Sequence, residues 1–302
     1  MRKPLFLLVF IMTSTFVYSQ YAFDYGASAG FSNYLGEIGG GSGIGKKFIS
    51  DMKIKKTQLA LGGFVRYRIL PIVSIKAGLN LIRIEGADRY STNPARVARN
   101  LSFRNDLIEL ELTAQVPFYE IADLGHTYRY RNDFKAYAFA GISGFYNNPK
   151  GFYNGEWVAL RPLRTENVDY SPIAFAIPAG LGFYFTLEKR HRLGFEFSWR
   201  TTFTDYIDDI STVYTDPKNL KSKEAKALAN RNGELRDMEG LPSPLNYAPG
   251  NKRGDPTTND SYLTATLNYS YVMRGTSAFY RQQHGSLFKQ NSFKKRKIRA
   301  KF

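Results

Sequence analysis

The chain has 302 residues, carries 42 Lys and Arg against 26 Asp and Glu for a formal charge of +16, and contains no cysteine. Disulfides, thiol nucleophiles and Cys-ligated metals are therefore excluded, and the length suits one large β domain or two ordinary ones. Abundant Tyr (21) and Phe (23) favour strands, and no linker or internal repeat divides the sequence.

The N-terminus reads as an export signal. Arg2 and Lys3 precede an apolar run over 5–17, and Ser19 precedes Gln20, which predicts a signal peptide over 1–19. The residue after the cut is not Cys, so a lipid anchor at this site is excluded. Beyond it, no stretch approaches the ~20 apolar residues of a membrane helix.

From there the chain alternates. Side chains along a strand change face with a period of two, and eight segments show that period. Strand one, near 22–31, sets Phe23, Tyr25, Ala27, Ala29 and Phe31 against Asp24, Gly26, Ser28 and Gly30. Strand two, near 58–69, sets Leu59, Leu61, Val65, Tyr67 and Ile69 against Phe64, Arg66 and Arg68. After a tight turn at Leu70-Pro71, strand three, near 72–84, sets Val73, Ile75, Ala77, Leu79 and Leu81 against Ser74, Lys76, Gly78 and Asn80. Strand four, 105–116, is the clearest: Ile108, Leu110, Leu112, Ala114 and Val116 oppose Glu109, Glu111, Thr113 and Gln115. Strand five, near 135–146, is apolar or small on both faces. Strand six, near 173–185, turns at 187–190 into strand seven, near 191–203, where Leu193, Phe195, Phe197 and Trp199 oppose Gly194, Glu196, Ser198 and Arg200. Strand eight, near 261–273, sets Leu263, Leu267, Tyr269 and Tyr271 against Thr264, Thr266, Asn268 and Ser270.

The connections alternate too. Those over 32–57, 85–100, 147–172 and 204–260 are long, and those after strands two and six are tight. The connection over 117–134 is long for its side. Within the last long one, 222–236 is rich in Lys, Glu and Ala, which predicts a short helix.

These features predict an all-β chain: an eight-stranded antiparallel transmembrane β-barrel over 20–273, in an outer membrane, with long extracellular loops. An even strand number puts both termini in the periplasm, with a basic tail over 274–302. A soluble barrel of the lipocalin kind would reverse the two faces. The charges argue against it: Asp24, Glu109, Glu111 and Glu196 oppose Arg66, Arg68, Lys76 and Arg200, a balance that a confined interior requires and an open surface does not. Pairing of Glu109 and Glu111 with Arg66 and Arg68 is expected. Eight strands leave an interior only wide enough for side chains, so no diffusion pore is expected and function falls to the loops or the periplasmic side.

Enzyme signatures are thin. His126, His191 and His284 stand at no metal-ligand spacing, and no GxSxG elbow marks a nucleophile. Asp205, Asp208 and Asp209 are a weak candidate for a metal; an Asx-type loop start is the better reading, so no metal and no cofactor are expected. Gly36 to Gly41 lacks the ending of a phosphate loop. The tail is the strongest clue, with nine cations and no acid over 29 residues, interleaved with Phe and Tyr. Lys289, Lys294, Lys295, Arg296, Lys297, Arg299, Lys301 and Phe293 are the expected partner-binding residues, followed by Tyr128, Arg129 and Arg131. Export argues against nucleic acid; an acidic periplasmic protein is the favoured partner, ahead of outer-membrane lipid.

Four stretches carry a resemblance: Ser19-Gln20, Asn33-Tyr34-Leu35-Gly36-Glu37-Ile38-Gly39-Gly40, Ala138-Phe139-Ala140-Gly141-Ile142, and Thr204-Asp205-Tyr206-Ile207-Asp208-Asp209-Ile210-Ser211-Thr212. Taken in that order, they resemble the PorG family of outer-membrane barrels, associated with the type IX (Por) secretion system of Bacteroidetes. The resemblance implies a non-enzymatic part of the secretion machinery that ties a periplasmic ring of PorK and PorN to the outer membrane. An outer-membrane lipid-modifying enzyme and a surface-loop receptor or adhesin are the alternatives.

Overall fold

The computed structural model describes residues 23–38, 56–70, 72–121, 133–235, 242 and 244–273. Eight long strands close on themselves: β1 (Phe23–Leu35), β2 (Gln58–Leu70), β3 (Val73–Ala87), β4 (Ser102–Ile121), β5 (Asp133–Tyr146), β8 (Ile173–Leu187), β9 (His191–Thr202) and β10 (Ser261–Val272). Each pairs antiparallel with its neighbours in chain order, and β1 meets β10 to complete the ring. A hairpin, β6 (Lys150–Tyr153) and β7 (Glu156–Ala159), lies in the connection after β5 and is joined to β4 through Arg104 and Lys150. No helix among the described residues is long and apolar enough to cross a membrane.

The barrel is greasy outside. Phe31, Leu59, Leu79, Leu110, Ile142, Leu181, Leu193 and Leu267 are exposed, one on each of the eight long strands. A soluble monomer rarely shows so continuous an apolar surface, and in a bilayer it faces lipid. Near the end that carries the short turns, rings run from strand to strand. Tyr25 meets Tyr271, Phe183 meets Phe195 and Phe185, and Phe134 joins Phe185 to Tyr119. Such a belt suits the membrane–water interface. The structure also decides the phase of β5: Tyr137, Phe139 and Phe145 point in, while Ala138, Ala140 and Ile142 point out.

The interior changes character along its length. At the level of the apolar belt it is charged. Toward the loop end the same inward positions turn apolar: Ile82 and Ile84 on β3, Phe103 and Leu107 on β4, Phe145 on β5, and Tyr262 on β10. Ile207 and Ile210, from the long connection after β9, drop into this cluster and are 0% and 1% exposed. The hydrophobic core is thus a cap over one mouth.

Two expectations need correction, and one further element joins them. β4 and β5 reach Ile121 and Asp133, so the connection expected over 117–134 shrinks to 122–132; cross-strand pairing continues past Pro117 by way of a register shift. The helix expected over 222–236 is only α2 (Lys223–Ala229), started by the Ser222 side chain accepting from Ala225 N–H and followed by a 3-10 turn at Asn232–Leu235. A second short helix, α1 (Pro94–Arg99), was not expected; Asn93 caps it and Pro94 opens it. The expected signal peptide and the tail over 274–302 lie outside the described residues.

Candidate functional site

Two polar constructions fill the barrel. The first spans the lumen. Arg200 on β9 forks onto Glu109 of β4, its Nε 2.8 Å from Oε2 and its Nη2 3.0 Å from Oε1. The same Nη2 lies 3.1 Å from Glu111 Oε2, and Nη1 donates to Thr264 Oγ1 at 2.6 Å. Glu109 also accepts from Tyr262 Oη at 2.6 Å and Asn80 Nδ2 at 3.0 Å. Lys76 on β3 sits 3.1 Å from Glu111 and 2.5 Å from Glu196, which further accepts from Tyr137 Oη at 2.6 Å.

Sheet order makes these contacts structural. β3 and β9 are four strands apart either way round the ring, as are β4 and β10. Lys76–Glu196 and Tyr262–Glu109 are therefore diametric struts. Between them remains a cavity of about 20 Å³, bordered by Ser28, Asn80, Ser198 and Thr266, with room for about one water. Small inward residues make room for the rings: a Cβ on Gly182 would fall 2.7 Å from the Tyr137 ring, and one on Gly180 2.8 Å from Phe139.

Nearer the turn end, Asp24 on β1 is held by Arg192 of β9 at 2.8 Å and by Ser270 Oγ at 2.7 Å, with Arg66 Nη1 at 3.9 Å. The Arg66 and Arg192 guanidiniums cover the Tyr184 ring at 5.0 and 4.8 Å. Lys135 pairs with Glu120 at 3.1 Å.

All eight charges expected inside lie on inward strand positions, but the expected pairing is wrong. Glu109 and Glu111 meet Arg200 and Lys76, not Arg66 and Arg68, because Arg66 sits lower in the barrel beside Asp24. Arg68 is partly buried, within electrostatic reach of Lys135 and Tyr184. Arg192, Lys135 and Glu120 complete the set and were missed. Parity could have found Arg192, which stands two and four residues before Gly194 and Glu196 on the same face; its place beside His191 made it look like part of the turn.

The second construction locks the loops together. Arg99 of α1 binds Asp88 at 2.8 and 3.0 Å and donates to the carbonyls of Arg253 at 2.8 Å and Glu37 at 3.0 Å. Glu166 accepts from Ser211 N–H, Thr212 N–H and Oγ1, and Arg253 Nη1 at 2.7–3.1 Å. Asn105 and Asn147 join each other and the carbonyls of Ile207 and Tyr206.

Asp205, Asp208 and Asp209, the weak metal candidates, do not converge. Asp209 turns to Thr165 Oγ1 and Tyr170 Oη at 2.5 and 2.7 Å, and burial pushes its carboxyl up to about 6. Asp208 turns the other way, to Tyr34. Among the described residues no group of three or more His, Asp or Glu is arranged to hold a metal ion. The expected partner-binding residues Lys289 to Lys301 and Phe293, and Tyr128, Arg129 and Arg131, lie outside the described residues.

Over residues 2–230 the sequence matches the family described as Domain of unknown function (DUF6089). That range stops within the last long connection, so β10, which closes the ring, lies beyond it. No curated protein matches the chain. Among solved structures, it is similar to the N-terminal β-barrel domain of Pseudomonas aeruginosa OprF at 8% identity and a TM-score of 0.33, covering 83% of this chain and 97% of that one. It is similar to the attachment invasion locus protein Ail of Yersinia pestis at 7% identity and 0.33, covering 83% and 98%. Acinetobacter baumannii CarO gives 13% identity and 0.25, covering 82% and 96%.

Proposed function

The chain belongs to the DUF6089 family, and we propose that it is a non-enzymatic outer-membrane anchor in a type IX-like protein secretion machine, holding a PorK/PorN-like periplasmic ring. The observation that carries this reading is the closed lumen. Diametric struts and an apolar cap obstruct conduction, so the work falls to what the barrel holds at its two ends. Resemblance to the PorG family supplies the machine. In this reading the capped mouth faces the outside and both termini face the periplasm, where the nine cations over 274–302 attract an acidic surface over a Debye length. The interleaved Phe and Tyr add burial at short range.

Removing 285–302 tests it. The expected result is a folded, membrane-inserted barrel that captures less ring and supports no secretion. Replacing Lys294, Lys295, Arg296 and Lys297 with Gln reproduces much of the defect, and the difference from wild type narrows at higher ionic strength as salt screens the wild-type attraction. Wild-type yield of co-purified ring with normal secretion refutes the tail as the docking element and moves it to 122–132, with Tyr128, Arg129 and Arg131.

A further inference from the structure

The loop end carries an arrangement that anchoring does not use. Tyr34, at the end of β1, places its hydroxyl 2.7 Å from Asp208 Oδ2 and 2.5 Å from Asp260 Oδ1. A tyrosine hydroxyl has one hydrogen to give. Its lone pairs are also approached by Glu37 N–H at 3.3 Å. With both carboxylates ionised, only one of the two short contacts can be a hydrogen bond, and the other sets an anion against an oxygen lone pair. Both contacts are satisfied when one carboxyl carries a proton and donates it to Tyr34 Oη while Tyr34 donates to the other.

We propose that the cap is a proton-locked lid: one proton, shared by Asp208 and Asp260 through Tyr34, clamps Asp205 to Ser211 onto the mouth of the barrel, and its loss releases that segment. The remaining oxygens of the pair add two bonds to those that Asn105, Asn147, Arg253 and Glu166 make to this segment. Asp260 Oδ2 accepts from Ile207 N–H at 3.1 Å and Asp208 Oδ1 from Ile210 N–H at 3.0 Å. These are the two isoleucines that plug the core. Packing at the junction is tight, for a Cβ on Gly36 would fall 2.0 Å from Tyr34 Oη and 2.3 Å from Asp260 Oδ1.

Among the described residues the surroundings of the pair supply chiefly negative charge. Facing the pair are Glu37 from the segment after β1 and Asp205 from the segment after β9, with Glu166, from the connection between β7 and β8, beyond Asp205. Asp205 is only 8% exposed and has Ser211 as a weak donor beside its carboxylate, and Glu37 Oε2 has no hydrogen-bond partner. Arg99 and Arg96 of α1 reach Glu37, where Asp255 also stands, but Arg99 is committed to Asp88, and Arg253 is committed to Glu166. Buried carboxyls among like charges hold their protons. Burial pushes Asp260 and Glu37 up to about 7 and Asp205 to about 8, and Asp208 rises well above the usual carboxylate range.

The test is amide hydrogen exchange on the full-length protein in detergent micelles, corrected for the intrinsic effect of pH. Between about pH 5.5 and about pH 8.5, protection over 205–211 is expected to fall about tenfold or more, while the barrel strands hold theirs. Asp260→Asn mimics the protonated state, since its Nδ2 can donate to Tyr34 and its Oδ1 can accept from Ile207 N–H. It is expected to stay protected at both pH values. Unchanged wild-type protection across the range overturns the proposal, as does an Asn variant that opens like the parent. Restoration of protection at the higher pH by calcium ions also overturns it, assigning the pocket to a cation. Should Asp260→Asn fail to fold, Asp208→Asn replaces it. A carboxylic C=O infrared band in the wild type, present at the lower pH and lost at the higher, reads the proton directly; its absence at the lower pH refutes the lock.

Discussion

Arg200 and Glu109 make unequal partners, and the inequality can be measured. Glu109 is 0% exposed and has Arg200 as its ion-pair partner; Arg200 has both Glu109 and Glu111 within 3.1 Å. Arg200→Met therefore leaves a buried carboxylate without compensation, which costs on the order of 3–5 kcal/mol. Tyr262 and Asn80 still donate to Glu109, which sets the expected loss near the lower figure. Glu109→Gln keeps the shape and leaves Arg200 bonded to Glu111 and Thr264, so it costs about 1–3 kcal/mol, as for a weakened buried hydrogen bond. Combining the two substitutions removes both charges, and the total falls short of the sum by about 1–3 kcal/mol. Urea unfolding of the barrel refolded into lipid vesicles, read by heat-modifiable migration on semi-native gels, gives all three values. Single variants within about 0.5 kcal/mol of the parent would refute an interior placement of the pair. A Gln variant weaker than the Met variant would refute the partner asymmetry.

Three further outcomes follow from the same geometry. Reconstituted in a planar bilayer, the barrel is expected to show conductance near zero, because Lys76–Glu196 and Tyr262–Glu109 cross the lumen; a steady large open channel contradicts the struts. Leu110→Arg places a cation on the apolar belt at a residue 66% exposed and is expected to cost about 2–4 kcal/mol in vesicles, with little loss on Leu110→Ala; equal effects would show that this face meets water. Asp205 has a carboxyl raised in the fold to about 8 from 3.8, so its stabilising share is full below pH 3.8 and lost as pH rises to about 8. Asp205→Asn is therefore expected to raise the unfolding midpoint at pH 8 and leave it unchanged at pH 3.5, and a reversed order rejects the burial of this group.

The barrel was largely legible because its strands repeat a two-residue code with lipid on one side. Asp24, Lys76, Glu109, Glu196 and Arg200 all follow that parity, and strand ends fall within a few residues of the expected ones. Partner choice was not legible. It depends on how far each strand is staggered round the ring, which places Arg66 beside Asp24 and lifts Glu109 to Arg200. The cap was hidden for a different reason: Tyr34, Asp208 and Asp260 are brought together across 174 and 226 positions by loops that have no period. The β6–β7 hairpin did leave a signal. Asn154-Gly155 at its tip, with φ of 48° and 89°, is the dipeptide that favours a two-residue hairpin turn.

The seam between β1 and β10, running from Asp24 opposite Val272 to Leu35 opposite Ser261, has a kinetic consequence. Its two sides are almost the first and almost the last described residues, so loop-closure entropy places this pairing among the slowest events in folding. Until it forms, β1 and β10 each present an open edge of unpaired amides and carbonyls, the template for pairing with another chain. Of the described strands, the closing one is also the last to be synthesised. A chain cut short before Ser261 keeps β1 through β9 and their greasy outer face but cannot shut, which makes truncation far more prone to aggregation than any single substitution in the wall.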